Sequence, residues 1–268
     1  MESGDTSTDR LSAEAIGAAL GARAHEIEID VVESCGSTNT LLLEGADDDI
    51  PRLLAANCQS AGRGRRGRRW YGAPGAAITF SLRRRMRRAL RELGGASLAA
   101  GVAVARALRA SGAGGIALKW PNDVLAGGAK LGGILIETRV QGGCAVAVIG
   151  VGVNYRTMPG LESRLRRRVA SLEELVRPLP PRTLLIARIA AELLEVLDSF
   201  DASGLAMLRE EWESMHAHAG QRIRMRLADG RVVAGIPAGI AEDGAMRLRT
   251  RSGVRALHSA RVVSARAG

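Results

Sequence analysis

Two lysines stand in a chain whose other basic residues are all arginine. Lys119 and Lys130 are the exceptions among 38 basic side chains, and they lie eleven positions apart. Each belongs to a cluster that could do chemistry, and the first also holds one of three tryptophans and one of four asparagines. Lys119-Trp120-Pro121-Asn122-Asp123 sets an ammonium, an amide and a carboxylate around a proline turn, a set suited to a metal–phosphate group. Lys130-Leu131-Gly132-Gly133-Ile134-Leu135-Ile136-Glu137 puts the second ammonium at the entrance of a strand. Its two glycines mark a place where a ligand or a neighbouring backbone comes close. Upstream, residues 59–70 read Gln59-Ser60-Ala61-Gly62-Arg63-Gly64-Arg65-Arg66-Gly67-Arg68-Arg69-Trp70. Glycine frees a backbone to turn N–H groups toward an anion, and five guanidinium groups repel one another unless negative charge sits among them. The loop lacks the Lys-Ser/Thr ending of a P-loop and does not open a helix as a dinucleotide fingerprint does.

Two further clusters are polar ends on apolar elements. Gly150-Val151-Gly152-Val153-Asn154 places glycines in a buried strand that exits on an amide. Gly36-Ser37-Thr38-Asn39 opens a helix, where these side chains act as caps or leave N–H groups for a carboxylate. Each cluster also has a plain structural reading: a solvated or RNA-binding Arg-Gly loop, an Asx turn, a hairpin, a packed core strand, a helix cap. His216 and His218 read as a surface helix end, and the arginine runs at 83–88 and 164–168 as solvated faces.

The elements that position these clusters follow from periodicity. A helix is expected over 12–21, capped by Ser12 or Thr8 and stopped by Gly21. Strands are expected over 25–34, 52–60 and 76–85, and an amphipathic Ala-rich helix over 96–110. Residues 116–140 read as strand, proline turn, strand, glycine turn, strand, and 144–155 as a buried strand. Helices follow over 183–199 and 203–215. After His218 the texture changes to short alternating strands parted by Asp229-Gly230, Asp243-Gly244 and Ser252-Gly253. About five strands in fifty residues make a small barrel. The divisions expected are a short N-terminal segment (1–27), a main domain (28–217) and a C-terminal barrel (218–268).

The whole chain has 268 residues with 46% hydrophobic and 25% charged side chains, ordinary values that exclude wholesale disorder. No apolar run reaches the length of a membrane helix, and the first residues do not read as a secretory signal. Cys35, Cys58 and Cys144 form no CxxC pair, so neither a disulfide framework nor a cysteine zinc site is expected. The expected setting is cytoplasmic, without membrane association. A net charge of +10 attracts polyanions, although compositional drift toward arginine accounts for part of it.

The ordered set GSTN (36–39), QSAGRGRRGRRW (59–70), KWPNDVL (119–125), KLGGILIE (130–137) and VIGVGVN (148–154), followed by a small barrel, resembles the biotin protein ligases, or biotin–acetyl-CoA-carboxylase ligases. Ser60 stands where threonine is common in that family. The resemblance covers roughly residues 30–268. It implies an α+β fold: a mixed β-sheet packed by helices, class II synthetase-like, followed by a small SH3-like β-barrel. It implies that biotin's carboxylate is joined to ATP, that pyrophosphate leaves, and that the resulting biotinyl-5′-AMP passes to a lysine of a biotin carboxyl carrier protein domain. The substrates are then biotin and ATP with Mg²⁺. No dedicated metal site is expected; the ion comes with ATP, near Asp123.

The same resemblance assigns biotin or its adenylate to Ser37, Thr38, Asn39, Gln59, Arg63, Gly64, Arg65, Lys130, Gly132 and Gly133. It assigns ATP to Arg65, Trp70, Lys119, Asn122 and Asn154, with Trp70 near the adenine. Lys119, Asp123, Lys130 and Arg65 are the expected catalytic residues, Asp123 as a base or as an orienting group for the acceptor amine. About 30 residues precede the first motif, too few for a three-helix DNA-binding domain, so no specific DNA binding is expected. A homodimer is compatible with the resemblance. A lipoate or octanoate ligase of the same superfamily and a basic RNA-binding protein are the alternative readings.

Overall fold

The computed structural model describes residues 9–45 and 48–266. Thr8, one of the two cap candidates, lies outside them. A seven-stranded mixed sheet runs in the order β1-β2-β3-β7-β6-β5-β4. Its strands are β1 (Glu28–Cys35), β2 (Arg52–Gln59), β3 (Ala77–Met86), β4 (Ile116–Lys119), β5 (Asp123–Ala126), β6 (Ala129–Gln141) and β7 (Cys144–Asn154). β1 and β2 are parallel, joined through helix α2 (Thr38–Glu44), and the other pairings are antiparallel. Alternation sorts the strands' side chains onto two faces. Ile78, Phe80 and Leu82 of β3 and Ile149, Val151 and Val153 of β7 enter the main core. Thr79, Ser81 and Arg83, and Val148, Gly150 and Gly152, point to the opposite face, where α2 lies.

The core face is covered by α1 (Ala13–Leu20), α3 (Ala96–Ala110) and α5 (Arg182–Ser203). Ser12 caps α1, its Oγ accepting from the Ala15 N–H at 3.2 Å, and Gly21 ends it at φ 61°. Ile16 and Leu20 tie that helix into the main core. The span of α3 is the expected one, but its character is not. It is buried on nearly every side, because it lies between the sheet and α5 and its alanines admit close approach. Helix α5 runs past residue 199 to Ser203, where Gly204 adopts φ 63°. The helix expected over 203–215 shrinks to α6 (Arg209–Ser214). Leu205 and Leu208 are buried as their spacing demands, but from a turn, with Leu205 pressed against the bare Cα of Gly95.

The C-terminal strands are β8 (Arg222–Leu227), β9 (Val232–Ile240), β10 (Met246–Thr250), β11 (Gly253–Leu257) and β12 (Ala260–Arg266). They form an antiparallel five-stranded sheet in the order β11-β10-β9-β8-β12, the SH3-like arrangement expected. Gly230, Gly244 and Gly253 take positive φ in its turns. The Trp120 indole N–H donates to the Gly244 carbonyl at 3.0 Å, fastening this sheet to the proline turn of the larger one. Among the described residues no helix is long and apolar enough to cross a membrane.

The arginine run at 83–88 is no solvated face. Arg83 is buried, with its guanidinium on the side chain and backbone carbonyl of Asp48, and Arg84 pairs with Asp198 and Asp201. Hydrogen bonds from Arg83, then Arg52, hold the Asp48 carboxyl well down, to about 2. A lowered carboxylate pKa stabilises the fold above its unfolded value, near 4, and that contribution is lost as pH falls toward 2. Asp48→Asn is therefore expected to lower the urea midpoint at pH 7 and to flatten its fall between pH 4 and 2. An unchanged midpoint and acid limb would refute this pairing.

Candidate active site

The face of the sheet opposite α3 and α5 carries the polar clusters. At the start of α2, the expected caps do other work. Ser37 makes no capping bond, and the Thr38 N–H donates to Gln59 Oε1 at 2.8 Å. Asn39 Nδ2 donates to the Leu135 carbonyl at 3.2 Å and to Glu137 at 3.0 Å, so its Oδ1 is left as an acceptor. Ser81 Oγ donates to that oxygen at 2.6 Å. Having spent its proton there, Ser81 must accept from Thr38 Oγ1, also at 2.6 Å. The chain ends on Glu137, which pairs with Arg63. One line of bonds thus runs from the helix N-terminus through two strands to the arginine loop. A buried network with every member satisfied rigidifies its surroundings.

The glycines of β7 make room for this network. A Cβ on Gly150 would sit 2.3 Å from Asn39 Oδ1, and one on Gly152 would sit 2.5 Å from the Trp70 ring. Trp70 leads out of the arginine loop, its N–H donating to the Gly62 carbonyl at 2.9 Å. Its indole Nε1 is buried without a hydrogen-bond partner among the described residues.

The β4–β5 turn brings the lysines together. Lys119 pairs with Asp123 in register, and Asp123 with Gly133 of β6. Lys130 Nζ donates to Asp123. Burial lowers the Lys130 pKa, Asp123 opposes that shift, and the nearby Arg167 and Lys119 charges add to it. Lys119 faces the same space with no ion pair to a carboxylate among the described residues. Asn122 holds the turn to β6: its Nδ2 donates to the Ile134 carbonyl at 2.7 Å, and the Ile134 N–H donates back to its backbone carbonyl at 3.0 Å.

These groups line one cavity of about 860 Å³, within the range of small-molecule sites. Ser37, Thr38, Asn39, Gln59, Arg63, Gly64, Arg65, Trp70, Lys119, Asn122, Asp123, Lys130 and Gly133 all border it. Gly132 and Asn154 do not. The missing side chain of Gly132 admits the Gly152 carbonyl, 2.8 Å from where a Cβ would stand. Asn154 is buried and donates to the Lys130 and Ala170 carbonyls at 3.1 and 3.0 Å. Both expected contact positions thus brace the strand that presents Lys130, which places them behind the cavity wall.

The cavity is strongly positive. Ten lining residues are cationic and one, Asp123, is a carboxylate. Arg65 is half-buried and donates no hydrogen bond among the described residues, and burial lowers its pKa. Two lining arginines come from the 164–168 run that the sequence reads as solvated. This run begins in the short helix α4 (Leu161–Leu165) and past its end is stitched to β6, the Lys130 N–H donating to the Arg168 carbonyl at 3.2 Å. That bond turns Arg166 and Arg167 into the cavity wall, with Arg166 at φ 50°. Ser81 and Arg261 carry no expectation from the sequence, and Glu137 is named there only as the end of its cluster, without a role. The polar Thr79-x-Ser81-x-Arg83 alternation was the available signal for Ser81. His216 and His218 are half-buried beside β4, not at a surface end: His216 stacks on Trp212 at 5.0 Å, and burial lowers its pKa to about 4, so it is neutral at pH 7.

Residues 31–154 match the biotin/lipoate A/B protein ligase family, and residues 218–263 match the biotin protein ligase C-terminal domain. The bifunctional ligase/repressor BirA of Escherichia coli (strain K12) is 35% identical over 226 residues, spanning 82% of this chain and 68% of its own. A biotin–[acetyl-CoA-carboxylase] ligase of Mycobacterium tuberculosis is 35% identical over 238 residues, spanning 85% and 86%. The structure of biotin protein ligase from Aquifex aeolicus in complex with biotin and ATP is similar at a TM-score of 0.74 and 25% identity, covering 90% of this chain and 99% of that one.

Proposed function

Because the chain belongs to the biotin protein ligase family, and its reaction is ATP-dependent ligation of biotin through biotinyl-5′-AMP, we propose the following division of labour in its cavity. The Thr38–Ser81–Asn39–Glu137 chain, with Ser37 and Gln59, seats the polar end of biotin's ring system. Gly133 lets β6 pass alongside it. Trp70, set by Gly152, stacks on the adenine. Arg63, Gly64, Arg65, Lys119 and Lys130 receive the carboxylate and the phosphates. Arg166 and Arg167 extend that surface to the departing pyrophosphate. Asn154 and Gly132 hold the Lys130 strand in place.

The observation that carries this reading is the charge imbalance of the cavity. A carboxylate oxygen must approach the α-phosphorus of a polyanion. At 4 Å two unit charges repel by about 4 kcal/mol at an effective dielectric of 20. Arg65, Lys119, Arg166 and Arg167, cations with no carboxylate partner among the described residues, oppose that repulsion together with the paired Arg63 and Lys130. The carboxylate oxygen then bonds to the α-phosphorus, and the bond to the β-phosphate oxygen breaks. Mg²⁺ neutralises phosphate charge in this chemistry. Among the described residues no three His, Cys, Asp or Glu side chains converge. This donor set fits an ion that arrives on ATP's phosphates, with Asp123 the carboxylate nearest to hand.

In the second step the acceptor amine attacks the acyl carbon of the mixed anhydride, and AMP leaves. The amine must first give its proton to solvent water, and the surrounding positive charges favour its neutral form. Asp123, held by Lys130, orients it. The acceptor is a lysine on a biotin carboxyl carrier protein domain, and the compartment is the cytoplasm. The chain divides into segment 1–27, the biotin/ATP domain 28–217 and the small domain 218–268. The reaction as drawn needs one subunit; a homodimer would be read by light scattering. Incubation with biotin, Mg-ATP and a carrier domain is expected to add one biotinyl mass to the carrier. Transfer of lipoate in its place would move the chain to the lipoate ligases.

A further inference from the structure

The charge of the chain is concentrated at one end. Residues 218–268 hold ten arginines against Asp229, Glu242 and Asp243, which accounts for +7 of the +10 total. Side-chain alternation places six of these arginines on the outer side of the curled sheet, β8 running beside residues 232–235 of β9 and β10 beside residues 236–240. Inward positions Ile223 and Met225, Met246 and Leu248 fill the core, so Arg222, Arg224 and Arg226 of β8 and Arg247 and Arg249 of β10 point outward and are exposed. Arg261 of β12 stands directly opposite Arg226. Between the two arginine rows, β9 presents Val232, Ala234 and Ile236. Among the described residues none of the six pairs with a carboxylate. The acidic side chains lie in the turns, where Asp229 is taken by Arg231 and Asp243 faces His258.

Like charges directly opposite on neighbouring strands destabilise a sheet. Arg226 and Arg261 are such a pair, and an extended anion lying along this face would relieve their repulsion. Arg222 and Arg226 are about 14 Å apart along β8, and the face is about as wide from β12 to β10. A small anion cannot span it, whereas a duplex, with a phosphate about every 3.4 Å of axis on each strand, offers several charges along such a length. A protein partner would need a carboxylate opposite each arginine. Single strands are held largely by stacking on aromatic rings, and strands β8–β12 contain no Phe, Trp or Tyr.

We propose that the outer face of the C-terminal sheet binds the phosphate backbone of duplex DNA without reading its sequence. The site is separate from the ligase reaction, apart from Arg261, which also borders the cavity. It is distinct from operator recognition, which requires side chains on base edges.

The test is fluorescence anisotropy of the whole protein with a labelled duplex of unrelated sequence across a salt series. Six phosphate contacts give a slope of log K against log [salt] near −5, or roughly a 10³-fold loss of affinity from 50 to 200 mM salt. Replacing Arg222, Arg224, Arg226, Arg247 and Arg249 together by glutamine is expected to abolish most of that slope while pyrophosphate exchange continues. The corresponding five-lysine variant is expected to keep it. Saturating biotin and ATP should not displace the duplex. Displacement by them would locate binding in the arginine loop and overturn the proposal. So would an unchanged slope in the glutamine variant. Tighter binding of single strands, of phosphatidylserine vesicles or of the carrier domain through these five residues would equally contradict it.

Discussion

Lys130→Arg is expected to cut biotin-dependent pyrophosphate exchange on the order of 100-fold while the protein stays folded. The Lys130 ammonium donates to Asp123 and lies 3.1 Å from where a Cβ on Gly133 would stand. An ammonium is a compact point charge, whereas a guanidinium is a broad planar fork. The wider group must push Asp123 or the ligand aside, and a misplacement near 1 Å costs about 100-fold in rate, or ~2.7 kcal/mol. Lys119→Arg is expected to act in the same direction, since it faces the cavity from the adjoining turn. Single-turnover adenylation measured beside the melting temperature separates this effect from misfolding. Near-wild-type exchange in both variants would show that the two lysines survive by chance in an arginine-rich chain.

Gly150→Ala is expected to raise the KM for biotin about 10- to 100-fold, the other large effect. The added methyl would stand 2.3 Å from Asn39 Oδ1, an atom held by Ser81 on one side while its amide is held by Leu135 and Glu137 on the other. Asn39 cannot yield without breaking the chain from Thr38 to Arg63. Overpacking of this kind costs about 1–3 kcal/mol, and the broken bonds fall on the groups assigned to biotin. The KM for ATP should change much less, because Trp70 rests on Gly152, one outward position further along β7. A paired variant, Gly150→Ala with Asn39→Ala, should recover stability without recovering biotin binding. Equal rises in the two KM values would mean that β7 had shifted as a whole.

The two lysines were legible because lysine is rare in a composition drifted toward Ala, Gly and Arg, and the arginine loop because five arginines and three glycines crowd residues 62–70. The span of α3 was legible too, but not its burial: its pattern reads as amphipathic, yet alanine is small enough to be buried on the face that pattern leaves exposed. Gly132 and Gly152 illustrate a different limit. Glycine in a strand announces a close approach without saying what approaches: in one case it is a carbonyl, in the other Trp70. Asn154 had the chemistry for a ligand and the geometry for two backbone carbonyls. Arg166 and Arg167 sat in a run that reads as solvated. Only the bond between the Lys130 N–H and the Arg168 carbonyl, across 38 residues of chain, turns them into the cavity. Long-range pairing of that kind leaves no local trace in a sequence.

Exchange of labelled pyrophosphate into ATP tests the central claim most directly, because it reads formation of the mixed anhydride without an acceptor. With Mg-ATP and biotin the exchange should be rapid, should stop when biotin is omitted, and should fall in Lys130→Arg. Exchange that ignores biotin, or that answers to lipoate instead, would contradict the account.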